Sequence, residues 1–258
     1  MAGELHDNVS RNKRFNALGV ITFVGLRSAD VFLQYYLIRH GFATKLIEAL
    51  GGRAVDTDQV LASTNTGIGL QPYYGIITSM ALGSSVKQIL TMLIVSEQDT
   101  PVSSAVVISF FNTAFNTFNS VLSLWAATTN VAIGPASNPP PTVFIGLGFY
   151  LVGILAELVS ELQRTAFKKN PANKGKPFSG GLFSLARHIN YGGYTIWRAA
   201  YAFTAGGWAW GLAVGPFFFY DFASRGVPVL DAYMSKRYGS EWTAIKAKVP
   251  YRLIPGVY

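Results

Sequence analysis

Cysteine is absent from this 258-residue chain, and charged residues are scarce. The absence of cysteine excludes disulfides, thiolate nucleophiles and cysteine-based metal sites, and we predict no metal site. Charged residues make up 13% of the chain, whereas a soluble domain carries roughly a quarter. Residues 100–156 contain no Asp, Glu, Lys or Arg. Together with a hydrophobic content of 50%, this predicts an integral membrane protein.

Long apolar runs predict four membrane spans. Each run is long enough to cross the ~30 Å hydrocarbon core at about 1.5 Å per residue. The first run is too long for the hydrophobic part of a signal peptide and follows a polar start, so we expect it to remain in the mature protein. The predicted spans are residues 15–38, 73–95, 102–127 and 143–167.

Three further segments complete the predicted organisation. Residues 193–220 are apolar but too short for two full crossings, and Ala205-Gly206-Gly207 near their middle predicts a helix, a bend and a second helix. Residues 51–72 are rich in Gly, Thr and Asp and predict a loop outside the membrane. A turn is predicted over Gly134 to Pro141, between the third and fourth spans.

The positive charge is concentrated in the last third of the chain. Residues 1–160 contain 8 Lys and Arg against 9 Asp and Glu, whereas residues 161–258 contain 13 against 4. Because these charges flank apolar spans, the positive-inside rule explains them without nucleic acid as a partner. A small cofactor that carries phosphate is the other interpretation. Arg11, Lys13 and Arg14 before the first span place the N-terminus in the cytosol by the same rule.

Ionisable residues also occur inside the predicted spans. Arg27 and Asp30 are three residues apart, so they share a helix face and could pair, either to fix helix packing or to contact substrate. Lys87, next to Gln88, is a functional candidate, or it extends its amine towards the membrane interface. Glu157, Glu161 and Arg164 form one polar face at the end of the fourth span.

The third span has a stripe of amides. Asn112, Asn116 and Asn119 are spaced by four and three residues, so they lie on one helix face, and three Phe residues repeat the spacing one position earlier. This face could line a substrate pocket for a flat, mostly apolar ligand. Hydrogen bonding between helices is the alternative.

The segment 168–197 combines basic residues, glycines and an Arg-His-x-Asn-Tyr run. Gly180 and Gly181 allow close backbone approach, and the lysines supply charge for a phosphate. The usual phosphate-loop motifs, GxxxxGK[ST] and GxGxxG, are absent. The segment therefore indicates either an anionic cofactor site or a cytosolic loop that is basic only for topological reasons.

Three motifs in this segment carry a family resemblance. NPANKGK from Asn170, GLF from Gly181 and RHINYGG from Arg187 resemble the C-terminal domain of the steroid 5-alpha-reductase family, in the branch with the pattern NPANxGK and RHPNYxGE. The tail, with KRYG from Lys236 and VPYRLIP from Val249, resembles the same family and, more distantly, sterol C14 reductases. The resemblance covers about residues 143–258.

The resemblance implies an all-α integral membrane bundle of about six to seven transmembrane helices with a cofactor pocket on the cytosolic side. It implies NADPH-dependent reduction of a carbon–carbon double bond in a lipid, sterol or terpenoid-like substrate, in the endoplasmic reticulum if the source is eukaryotic. Residues 1–142 would form the substrate side and residues 143–258 the cofactor side, with the oligomeric state left open. The implied cofactor contacts are Glu161, Arg164, Asn173, Lys176, Arg187, Asn190, Tyr191, Arg237 and Tyr238.

Two positions depart from the family pattern. Ile189 stands where the family has Pro, and Tyr194 stands where it has an acidic residue. We expect catalytic residues among Tyr194, Asp30 and Lys87, because an enone oxygen needs a donor whose pKa is tuned by burial. Tyr35, Tyr36, Tyr73 and Tyr74 are further chemical candidates for the proton donor.

A different membrane enzyme family is also similar. Isoprenylcysteine-type methyltransferases, which use S-adenosylmethionine, share Arg187, His188, Tyr191 and Gly193 with this chain, but their paired acids in the tail are missing here. The alternatives are therefore such a methyltransferase or a relative that no longer reduces, either an isomerase or a lipid-binding scaffold.

Overall fold

The computed structural model describes residues 13–62, 67–130 and 139–258, and in these ranges the regular structure is helical. Two isolated β-bridges are the extended pairings recorded within them. Short π-helical turns extend α4 and α7, at Thr91–Val95 and Phe222–Gly226. The helices are α1 (Ala17–Arg39), α2 (Phe42–Ala49), α3 (Thr57–Val60), α4 (Pro72–Leu90), α5 (Val102–Leu124), α6 (Pro141–Lys169), α7 (Ile189–Asp221), α8 (Val227–Tyr238) and α9 (Ser240–Lys248).

Four of these helices are long and apolar enough to cross a membrane: α1, α4 with its π-turn, α5 and α6. They coincide with the four predicted spans, and their ends differ from the predicted ends by three residues at most. The predicted loop 51–72 contains the short helix α3 and is described except for residues 63–66. Most of the predicted turn before α6, residues 131–138, lies outside the described residues.

Helices α6 and α7 pack closely and run antiparallel. A Cβ atom added at Gly153 would lie 2.5 Å from the backbone nitrogen of Trp197, and one added at Gly193 would lie 2.7 Å from the backbone nitrogen of Glu157. Glycine at these two positions therefore allows the backbones to approach more closely than any other residue would. The crossing brings the polar faces of the two helices together.

Helix α7 bends back on itself, as the sequence predicts. Gly206 and Gly207 have non-helical backbone angles, and Gly207 has a φ of 70°, which favours glycine. Beyond the bend, a Cβ atom at Gly211 would lie 2.9 Å from the Cβ of Phe203, and one at Gly215 would lie 3.1 Å from the Cβ of Ala199. The two halves of α7 thus form a tight antiparallel hairpin.

The bundle has two distinct ends. At one end Asn16, before α1, donates to Asp99 of the α4–α5 connection (3.2 Å). The C-terminal segment closes this same end, because the backbone nitrogen of His188 donates to the carbonyl of Arg252 (2.8 Å). This end, which also carries the loop 170–188, is called the basic end below. At the opposite end, Asn130 donates to the carbonyl of Phe203 beside the bend (2.6 Å).

Candidate functional site

The polar face of α6 meets α7 first at the basic end. Asn190, in the first turn of α7, donates from its amide to the Glu161 carboxylate (2.7 Å), and both residues are buried. The other carboxylate oxygen of Glu161 pairs with Arg164, one turn along α6. The structure therefore brings together three of the residues that the family resemblance assigns to the cofactor. Their side chains present a carboxylate, an amide and a guanidinium at one place.

Aromatic rings border this cluster. The Tyr191 ring stacks on Phe222 with centroids 4.4 Å apart, and the His188 ring lies nearly parallel to Tyr191. His188 is buried, and its Nε2 atom has no hydrogen-bond partner among the described residues. Burial, together with the nearby Arg187, lowers the pKa of His188 to about 4, so the ring is neutral at neutral pH. It therefore offers a ligand one nitrogen that is not yet bonded.

The remaining cofactor candidates are spread over the basic end. Arg187 donates to the carbonyl of Val249 (2.6 Å) and so holds the C-terminal segment in place. Asn173 donates to the carbonyl of Phe167 (3.1 Å) and closes the end of α6. Three candidates lie towards solvent: Lys176 and Arg237 are exposed, and Tyr238 is half-buried beside Arg237.

An ion pair between a buried lysine and a half-buried glutamate follows one helical turn deeper in the bundle. Lys87 of α4 pairs with Glu157 of α6, and the indole nitrogen of Trp197 donates to the same carboxylate (2.7 Å). Glu157 and Glu161 are four residues apart, so this pair lies about 6 Å from the Glu161 cluster along the helix. Lys87 thus turns inward rather than towards the interface.

The next contacts involve Tyr194. Its hydroxyl oxygen accepts a hydrogen bond from Nε of Arg198 (3.1 Å), and Arg198 also donates to the side-chain oxygen of Asn112. Gln88 donates to that same oxygen (2.6 Å). Helices α4, α5 and α7 are joined by this network, which leaves the hydroxyl proton of Tyr194 available to a further acceptor.

A cavity of about 420 Å³ opens beside this network, within the range of small-molecule pockets. Its wall is mostly apolar, with side chains from α1, α4, α5 and α7. Polar groups enter it from Lys87, Gln88, Asn112 and Tyr194. Two predicted catalytic residues, Tyr194 and Lys87, and one predicted substrate residue, Asn112, therefore share one cavity.

Asp30, the third predicted catalytic residue, lies in a separate buried cluster. It pairs with Arg27 (3.1 Å) and accepts hydrogen bonds from Gln34 and Asn116 (2.8 and 2.7 Å). The Arg27–Asp30 pairing is as the sequence predicts, and it lies between α1 and α5. Asn119 accepts a hydrogen bond from the Trp210 indole (2.7 Å). Asn116 and Asn119 thus join helices, as in the alternative explanation of the amide stripe.

The tyrosines considered as proton donors lie nearer the opposite end. Tyr73 donates to the carbonyl of Thr204 (3.0 Å) and Tyr35 to the carbonyl of Ile68 (2.9 Å). Tyr74 is buried against Tyr73, whereas Tyr36 is exposed and its ring lies tilted against His40. None of the four lines the cavity beside Tyr194.

Arg198 is the residue that sequence reasoning missed. Its side chain is buried, and the Cζ atom of its guanidinium lies 4.4 Å from the centroid of the Trp197 ring. The signal was present, because an arginine inside an apolar helix is a functional candidate by the same rule that selected Lys87. Its position one helical turn after Tyr194 also indicates that the two side chains lie on the same helix face.

The groups around Glu161 fit an adenosine-containing cofactor. A carboxylate accepts hydrogen bonds from ribose hydroxyls, stacked rings suit a purine, and the unbonded Nε2 of His188 is a further polar contact. Arg164 adds positive charge, and Lys168 and Arg237 lie close enough to influence each other electrostatically. S-adenosylmethionine and NADPH both contain adenosine, so these groups fit either cofactor.

Comparison with known proteins gives two matches. The chain matches the family described as "Protein of unknown function (DUF1295)" over residues 98–249, which is more than half of its length. It is also 35% identical over 231 residues to "Probable O-methyltransferase ustE" of Ustilaginoidea virens, an alignment that covers 88% of this chain and 81% of that protein. The family match confirms the steroid 5-alpha-reductase-like resemblance at the level of the family. The chain belongs to DUF1295, a steroid 5-alpha-reductase-like family of membrane proteins.

Proposed function

We propose that the protein is a membrane-embedded O-methyltransferase that transfers a methyl group from S-adenosylmethionine to an oxygen atom of an apolar small molecule or lipid. The observation that carries this proposal is the similarity, along most of the chain, to a protein named a probable O-methyltransferase. The tyrosine at position 194 also supports it, since the reductase pattern has an acid there.

The proposed roles follow the polar path through the bundle. Glu161, Asn190 and His188 would hold the adenosine part of the cofactor at the basic end. When bound, S-adenosylmethionine would supply an electrophilic methyl group to the substrate oxygen. Lys87 and Tyr194 would orient the substrate oxygen, and the apolar wall would exclude water.

This division assigns the cofactor to residues 143–258 and most of the substrate cavity to the helices of residues 1–142. The two sites would lie about one to two helical turns apart, because Asn190, Tyr194 and Arg198 follow each other at intervals of four residues along α7. With the two halves of α7 embedded in the bilayer beside the four long helices, we propose six membrane-inserted helical segments. The basic end would face the cytosol, and the membrane would be the endoplasmic reticulum in a eukaryotic cell.

A second candidate function is NADPH-dependent reduction of a carbon–carbon double bond. The observation in its favour is the NPANKGK loop, which resembles the reductase branch and carries Lys174 and Lys176. Lys168, just before the loop, lies close enough to Arg164 for the two charges to interact. Those charges suit the phosphates of NADPH better than they suit S-adenosylmethionine, which has no phosphate. In this reaction Tyr194 would donate a proton while hydride is delivered to the β-carbon.

Ligand protection distinguishes the two functions. A ligand that binds only the folded state stabilises it by about 2.7 kcal/mol at a hundredfold excess over Kd, which is a shift of several degrees in Tm. We expect S-adenosylmethionine and S-adenosylhomocysteine to raise the Tm of the purified protein in detergent, and NADPH to leave it unchanged. Protection by NADPH alone would overturn the methyltransferase proposal and support reduction. If neither ligand protects, both functions are wrong.

The same assay tests the cofactor cluster. Asn190→Ala removes the amide that holds Glu161, so it should abolish most of the protection. Asn130→Ala is the matched control, because Asn130 also donates a hydrogen bond from its side-chain amide, in a half-buried position at the opposite end of the bundle. Lipid extracts of cells with and without the protein then report the reaction, as a gain of one methylene in mass for methylation or of two hydrogen atoms for reduction.

A further inference from the structure

Among the described residues, two of the three buried Lys and Arg side chains have a carboxylate partner. Arg27 pairs with Asp30, and Lys87 pairs with Glu157. Among residues 13–62, 67–130 and 139–258, no carboxylate lies within ion-pair distance of Arg198. Arg198 therefore leaves one positive charge without a partner of opposite sign in the interior.

The contacts of Arg198 are neutral and incomplete. Its 2% exposure leaves almost no access to solvent. Nε donates to the Tyr194 hydroxyl and Nη2 to the Asn112 oxygen, whereas Nη1 has no hydrogen-bond partner in the described chain. The face of Trp197 compensates part of the charge. Burying an ionised group in this position costs free energy unless a counter-charge neutralises it.

Tyr194 connects this charge to the cavity. It is half-buried, lines the cavity, and accepts the Arg198 hydrogen bond, so its own proton is directed to another acceptor. A phenol that accepts a hydrogen bond from a cation is a stronger donor, because the cation stabilises charge on its oxygen. Lys87 lines the same cavity from α4, although Glu157 already neutralises it.

We propose that the cavity binds its substrate as an oxyanion, the ionised carboxyl, phenol or enol oxygen of an otherwise apolar molecule, against the Tyr194 hydroxyl and the charge of Arg198. The anion supplies the counter-charge that Arg198 lacks among the described residues, and the rest of the molecule fills the apolar part of the 420 Å³ cavity. The inference rests on the proposed function only for the reaction that the bound anion undergoes. Methylation of the oxygen gives a neutral ester or ether, which no longer neutralises Arg198 and leaves readily.

Direct binding without any cofactor tests the inference separately from the reaction. The probes are anthracene-9-carboxylate and its methyl ester, which share one fluorescent apolar body and differ in charge. We expect the purified protein in detergent to bind the carboxylate at least about tenfold more tightly than the ester, as one charge-assisted hydrogen bond would give. Equal affinities, or a preference for the ester, would overturn the inference even if S-adenosylmethionine protects the protein.

Two variants test which side chains cause the preference for the carboxylate. Tyr194→Phe keeps the ring and removes the hydroxyl, and Arg198→Gln removes the charge, so each should reduce the preference for the carboxylate by about tenfold. Arg198→Lys keeps the charge and should restore part of the preference. Arg53→Gln, at an exposed position of the opposite end, is the control and should bind as the wild type does. If Arg198→Gln loses its fold, Tyr194→Phe decides, and an unchanged preference in that variant contradicts the inference.

Discussion

The tyrosine at position 194, in place of the acid in the family pattern, affects how the buried charge of Arg198 is compensated. The family resemblance places an acid where this chain has Tyr194. A carboxylate there would lie one turn from Arg198 and could neutralise it within the protein. Tyrosine keeps the hydrogen bond but supplies no charge, so the guanidinium has no counter-charge among the described residues.

His188 gives a prediction at the scale of a single residue. Its pKa is about 4 in the folded protein, mainly because it is buried, against an ordinary value of 6.5. Between these values the unfolded chain binds a proton that the folded chain does not, so stability is full above pH 6.5 and falls as the pH decreases towards 4. The loss should reach about 3 kcal/mol at the lower limit. Unfolding curves measured across this range test it.

His188→Gln provides the comparison. Glutamine cannot titrate. The free energy of unfolding of the variant should therefore fall less steeply than that of the wild type between pH 6.5 and about 4. Above pH 6.5 the two proteins should show the same slope of unfolding free energy against pH. Equal slopes throughout the range would mean that another group causes the pH dependence.

The hairpin of α7 gives a prediction at the scale of one element. Gly211 allows the second half of α7 to lie against Phe203, so Gly211→Leu must push the two halves apart. We expect a loss of about 1–3 kcal/mol, as for other overpacked sites, and hence a decrease of several degrees in Tm in detergent.

Gly148→Leu is the matched control for this substitution. Gly148 lies on an exposed face of α6, and nothing lies within 4 Å of a Cβ atom added there. It should therefore be neutral or slightly stabilising, since leucine favours helix more than glycine does. A similar decrease in both variants would show that the hairpin contact is not the cause.

The elements of this protein were largely predictable from the sequence, because hydropathy and length determine a membrane span. The four spans and the bend at Gly206-Gly207 were predicted close to their positions in the structure. Partners across the bundle were not predictable. Lys87 and Glu157 are 70 positions apart, and only the relative rotation of α4 and α6 brings them together. For the same reason, the spacing of Asn112, Asn116 and Asn119 predicted one shared face, whereas the structure places each of them in a different contact.

At the scale of the whole molecule, the polar groups form a path from the basic end to the centre of the bundle. Glu161 and Asn190 lie at its start, Glu157 and Lys87 one turn deeper, and Tyr194 and Arg198 beside the cavity. In the proposed function, such a path would let a water-soluble cofactor and an apolar substrate approach one reaction centre from different phases. The path has this function only if the basic end faces the compartment that supplies the cofactor.

The absence of cysteine makes this orientation directly measurable, because each introduced thiol is the only one in the chain. Gln98→Cys, Lys174→Cys and Ser240→Cys lie at exposed positions of the basic end, and Asp58→Cys lies at an exposed position of the opposite end. By the positive-inside rule, a membrane-impermeant maleimide should label the first three only from the cytosolic side and Asp58→Cys only from the other side. Because α7 is a hairpin, Lys174→Cys and Ser240→Cys must agree, whereas a straight α7 would place them on opposite sides. Labelling of these two from opposite sides would disprove the hairpin, and labelling of all three from the non-cytosolic side would reverse the proposed path.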